Sequence, residues 1–177
     1  MPSRSPRSCC GVPHLLPDTL ARANERFAES LDGRGLSRIP AHRLAVLTCM
    51  DARVEPLRML GLDLGDAHVI RNAGGVATED ALRSLVISNR LLGTTTAYVI
   101  GHTECGMITF TNDELYVQLE HDGIDARWLD FLPFTTIESS VRASVVLLRE
   151  TPLLPDDYTV QGFVYDVATG LLEPVEA

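Results

Sequence analysis

The stretch Arg43-Leu44-Ala45-Val46-Leu47-Thr48-Cys49-Met50-Asp51-Ala52-Arg53 decides the fold, because an unbroken apolar run turns at once into polar chemistry. Such a run suits a strand buried on both faces, as in a parallel sheet. Two runs of the same kind follow, at 67–72 and 95–101, the second leading directly into His102-Thr103-Glu104-Cys105. Strands are therefore expected over 43–50, 67–72 and 95–101. Between the last two lies the clearest helical pattern in the chain. Thr78 can cap it, Glu79 and Asp80 suit its positive end, Ala81, Leu82, Leu85, Val86 and Leu92 recur on one face, and Gly93 ends it.

Strand, short helix, strand, helix, strand is the pattern of right-handed parallel crossovers. The expected class is α/β, with a mainly parallel central sheet of strand order 2-1-3-4 flanked by helices. Residues 18–31 carry Leu20, Ala21, Phe27, Ala28 and Leu31 at helical spacing, with Asp18 as a candidate N-cap, and read as an N-terminal helical arm. A further helix is expected over 135–150. Residues 159–175 read as a strand, a turn at Ala168-Thr169-Gly170 and a short return. With the second strand on the far side of the first, the winding direction reverses between the first and third strands. That reversal opens a ligand crevice at their C-terminal ends, where Cys49 and His102 fall.

Composition narrows the functional classes. The 177 residues suffice for one ordinary domain, expected over 18–177, with residues 1–17 as a disordered extension. No stretch approaches the roughly eighteen apolar residues of a membrane span, and the net charge of −9 argues against nucleic acid. The 15 basic residues are all arginine, so Schiff-base chemistry and a phosphate-loop lysine are excluded. Four cysteines, two of them adjacent at Cys9 and Cys10, do not make a disulfide framework, and residues 1–13 lack the apolar segment of a secretory signal. A reducing, cytoplasmic setting is expected.

Cys49, His102 and Cys105 form a soft ligand set suited to tetrahedral zinc with the fourth position left open for chemistry. Their long separation excludes a local zinc finger. Asp51 and Arg53 follow the first ligand closely enough to place a carboxylate and its cation beside the metal; the alternative is a solvated surface ion pair. Gly74 and Gly75 allow the backbone to close around a substrate pocket, or simply supply a turn at positive φ. His68 and His121 are proton-shuttle candidates or plain structural residues.

Taken together, Cys49-x-Asp51-x-Arg53, Arg71-Asn72-Ala73-Gly74-Gly75 and His102-x-x-Cys105-Gly106 resemble the β-class carbonic anhydrases in spacing and order. The short length and the Ala-Gly-Gly form resemble a compact, actinobacterial-type branch. The resemblance implies one Zn²⁺ per chain on Cys49, His102 and Cys105, with water or hydroxide as fourth ligand attacking CO₂ to give bicarbonate. It gives Asp51 two roles: held by Arg53 it orients the nucleophile, and released it takes the fourth zinc position and closes the site. It also implies a homodimer, or a tetramer of dimers, with the N-terminal helix lying over the partner. Val46 stands where some members carry a tryptophan of an inhibitory bicarbonate pocket, so that mode is not expected here. Relatives of this fold hydrolyse carbonyl sulfide or carbon disulfide, and a catalytically silent zinc protein is a third alternative.

Overall fold

The computed structural model describes residues 17–31 and 35–177. The expectations for the N-terminal extension up to residue 16, with Cys9, Cys10 and His14, lie outside the described residues. Helix α1, Pro17–Ser30, belongs to a first unit ending at Leu36; a second unit runs from Ser37 to Ala177 and holds every strand. The helix begins one residue before Asp18, which therefore lies in its first turn rather than at the cap. An acid there favours the positive end of the helix.

Strand β1, Leu44–Cys49, is buried along its whole length. It pairs in parallel with β2, Ala67–Asn72, on one side and β3, Thr96–His102, on the other. Strand β4, Thr159–Tyr165, pairs in parallel with β3, and β5, Leu172–Val175, returns antiparallel along β4. The order is β2-β1-β3-β4-β5, so the expected reversal of winding occurs between β1 and β3. The antiparallel edge strand is the short return read from residues 159–175.

Alternation along β1 builds two apolar layers, because successive side chains of a strand point to opposite faces. Ala45 and Leu47 join Leu85, Val99, Val145 and Leu148 on one face. Leu44 and Val46 join Ile100 on the other, packed by Tyr98, Phe163 and Tyr165. Full burial of a side chain such as Leu47 contributes about 1.5–3 kcal/mol, and Leu47 is fully buried. The first layer is covered by α3, Glu79–Arg90, and α5, Ile137–Glu150. Both are capped as their sequences suggest: Thr78 accepts from the Ala81 amide, and Thr136 from that of Ser139.

Several boundaries differ from expectation, with β1 ending at Cys49 rather than at residue 50 and β3 at His102 rather than at residue 101. Arg43 has φ +53° and stays outside β1; its carbonyl instead accepts from the Thr95 and Thr96 amides, which also delays the start of β3 by one residue. Helix α5 starts after its Thr136 cap rather than at residue 135. Between β1 and β2 sits the short helix α2, Pro56–Met59, and after β3 comes α4, Asn112–His121, which has no counterpart in the sequence reading. No helix among the described residues is long and apolar enough to cross a membrane.

Candidate metal centre

Cys49 is the last residue of β1 and His102 the last of β3, and these neighbouring parallel strands end at the same level. Three residues beyond His102 the chain returns Cys105 to the same spot. All three residues are buried, and their ligand atoms lie within 4.8 Å of one another. The two sulfurs are 3.9 Å apart. Two thiolates at about 2.3 Å from a tetrahedral zinc would stand roughly 3.8 Å apart, so the spacing fits the ion.

The histidine is set for the same role. Its Nδ1 lies 2.9 Å from the Thr103 carbonyl oxygen, which can only accept, so the proton sits on Nδ1. The lone pair is left on Nε2, which is buried with no hydrogen-bond partner. An orphaned buried nitrogen is costly, and a backbone contact fixing the other ring nitrogen is the usual support of a metal-bound imidazole.

Burial raises the Cys49 thiol, but the His102 ring and the amides of Asp51 and Gly74 outweigh it and bring the thiol down to about 7. Cys105 goes the other way: burial pushes it up to about 11 despite the Met107 amide, with Cys49 adding to the rise. Burial opposes charging of His102, while Cys49, the Thr103 carbonyl and Asp51 favour it and prevail. A divalent cation would satisfy all three groups at once.

Beside the cluster, Asp51 is clamped by Arg53 through three contacts. The Arg53 amide and Nε donate to Oδ1 at 2.8 and 3.0 Å, and Nη2 donates to Oδ2 at 2.9 Å. These bonds to Arg53 hold the carboxyl well below the usual carboxylate range. Oδ2 lies 3.9 Å from His102 Nε2, at the open side of the cluster, and Asp51 is not among the clustered ligands. The carboxylate is thus in its Arg53-held position. Arg53 has a second acid partner that the sequence reading missed: Nη1 donates to Glu104 at 2.7 Å and Nη2 to the Glu104 carbonyl at 3.1 Å.

The loop after β1 is secured from β2. Arg71 donates to the carbonyls of Cys49 and Asp51 at 2.9 and 2.7 Å, so it braces the ligand loop, and the Asn72 carbonyl accepts from the Met50 amide. Gly74 and Gly75 both have positive φ, and a Cβ at Gly75 would run into the backbone of Thr48 and Cys49. The other candidates lie elsewhere. His68 pairs with Ala45 near the start of β1 and contacts the Ser88 hydroxyl at 2.8 Å, at the opposite end of the strand from Cys49. His121 ends α4 beside Asp122. His42 faces Asp66.

A buried Cys₂His cluster at the switch point of a parallel sheet, beside an arginine-held carboxylate, marks an α/β protein with a site that could hold a metal ion. The family model described as Carbonic anhydrase matches residues 44–135. Beta-carbonic anhydrase 1 of Mycobacterium tuberculosis is 44% identical over 137 residues, covering 77% of this chain and 83% of the relative. The carbonic anhydrase structure from Streptococcus mutans superposes with a TM-score of 0.86 at 47% identity, covering 90% of this chain and 96% of that one. Carbon disulfide hydrolase of an Acidianus strain is 35% identical over 151 residues, covering 72% and 74% of the two chains. The chain belongs to the β-carbonic anhydrase family.

Proposed function

We propose that this protein catalyses the reversible hydration of CO₂ to bicarbonate and a proton, using one Zn²⁺ per chain held by Cys49, His102 and Cys105. The observation that carries the reading is the buried ligand triad with Asp51 fixed by Arg53 at its open side. Zinc, when bound, lowers the pKa of water and so supplies a nucleophile near neutral pH. Asp51 stays ionised under the Arg53 clamp, accepts a hydrogen bond from the nucleophile at Oδ2 and turns its lone pair towards CO₂. His102 keeps its ring orientation through Thr103. Gly74 supplies an amide to Cys49, and Gly75 lets the loop close beside the reaction site.

Hydrolysis of carbon disulfide or carbonyl sulfide is the second reading, supported by relatives such as the Acidianus enzyme. Both are linear analogues of CO₂, and the same residues would serve. A silent zinc protein is disfavoured by the intact Asp51 and Arg53 geometry. The proposal extends to a cytoplasmic homodimer or tetramer of dimers built from residues 18–177. Its arm would be α1, on which Leu20 and Phe27 are exposed. Stopped-flow CO₂ hydration on zinc-quantified protein, with carbon disulfide and carbonyl sulfide alongside, tests the reading. CO₂ turnover far exceeding that of either sulfur substrate is expected, and preferential turnover of a sulfur substrate would replace it.

A further inference from the structure

Glu104 holds an unusual place. It sits between the ligands His102 and Cys105 with φ +56°, a backbone conformation uncommon for a glutamate. That conformation gives Arg53 two acceptors from one residue, the carboxylate at 2.7 Å and the main-chain carbonyl at 3.1 Å. Asp51 takes Nε and also shares Nη2. The guanidinium is therefore held from both sides, and its orientation towards Asp51 is set from the opposite loop. Arg53 is about half exposed, with its side chain at 46%, so nothing buried would otherwise fix it.

We infer that Glu104 is a positioning residue that keeps Asp51 turned away from the metal's open position by locking Arg53. This rests on the reading of Asp51 given above and adds its regulation. Without the Glu104 carboxylate, Arg53 keeps only the 3.1 Å contact to the Glu104 main-chain carbonyl as its hold on the loop after β3. The Asp51 carboxylate, 3.9 Å from His102 Nε2, then moves more readily into the open side of the cluster. Competition by Asp51 weakens any anion that binds there. Simple electrostatics gives the opposite sign, because removing a nearby negative charge tightens anion binding. The two accounts are thus separated by direction.

The experiment uses the cobalt(II)-substituted full chain, with thiocyanate as the probe read by the visible metal spectrum. Metal content is measured on every sample. Glu104→Ala is expected to weaken thiocyanate binding about 3- to 5-fold, the upper range for an exposed ion pair in a network. Glu104→Gln, which keeps size and backbone, should fall between Glu104→Ala and the native chain. In an Asp51→Ala background the effect should vanish or reverse, because the competing carboxylate is gone. Unchanged or tighter binding in Glu104→Ala overturns the inference, as does an equal weakening in the Asp51→Ala background. If Asp51→Ala alone leaves thiocyanate affinity unchanged, Asp51 does not reach the open position, and the reading beneath the inference fails with it.

Discussion

Replacing Gly75 by alanine tests how the metal centre is held. A Cβ at this position would lie 2.9 Å from the Thr48 carbonyl carbon, 3.0 Å from the Cys49 nitrogen and 3.1 Å from the Thr48 Cα. All three are backbone atoms of β1, where Thr48 has parallel partners on both sides and Cys49 pairs with Asn72, so none can rotate away. Gly75 also has φ +66°, which costs an alanine about 1–2 kcal/mol. Overpacking adds about 1–3 kcal/mol, for a total of about 2–5 kcal/mol. For a chain of this size that corresponds to a fall in Tm of about 4–20 °C. Gly61 supplies the control, with the same φ of +66° and nothing within 4 Å of its Cβ, so Gly61→Ala measures the backbone term alone. Thermal and urea unfolding of both variants, with zinc content determined on the same samples, should show Gly75→Ala the less stable and also poorer in zinc. Equal stability losses, or full zinc occupancy in Gly75→Ala, would refute the idea that this contact holds Cys49 in place.

Alanine at Cys49, His102 or Cys105 should drop bound zinc to about a tenth of the native content or less and abolish CO₂ hydration, whereas loss of Cys9 and Cys10 should leave both intact. Asp51→Asn and Arg53→Ala should retain zinc while turnover falls by about 100-fold, the scale of a mispositioned reacting group; native rates in both would make the pair structural. Arg53 depresses the Asp51 carboxyl in the folded protein, so the stabilisation is complete above the unfolded value near 4 and is lost as the pH falls below it. Urea midpoints of chelator-treated native and Asp51→Asn proteins should therefore differ at pH 7, with the gap constant down to about pH 4 and only beginning to narrow below it. With Val46 buried in the apolar layer, inhibition by bicarbonate should be hyperbolic, as initial rates across a bicarbonate series will show.

The strands were legible because their apolar runs are continuous and end in chemistry: Cys49 and His102 stand out as reactive residues terminating buried runs. Arg43 shows what such patterns miss. Its position before an apolar run looks like strand, yet a left-handed backbone lets its carbonyl serve two amides of the neighbouring segment. Helix α4 left no apolar stripe, since none of its residues is buried. The one signal it offered was the capping box of Thr111 and Glu114. Of the site, the cluster of Cys49, His102 and Cys105 and the pair of Asp51 and Arg53 could be read from spacing. Glu104 could not, because its partner is 51 positions away and its side chain is largely exposed, so no local pattern marks it. Arg71 entered the sequence reading only as part of a motif, and its bracing of the loop after β1 through two carbonyl contacts shows only in the fold.

The sulfurs that meet at 3.9 Å are 56 positions apart in the chain, and everything between them must be in place before they meet. Cys49 is made first, and His102 and Cys105 reach it only after β2 and α3 have been laid down and β3 has paired with β1. Contacts of such sequence separation form late and slowly, because loop closure must precede the contacts that reward it. On the proposed reading, capture of the metal is expected in the last stages of folding. An ion present from the start should accelerate refolding little but slow unfolding, so that zinc, if taken up as proposed, would act as a latch on the finished β1 and β3 seam.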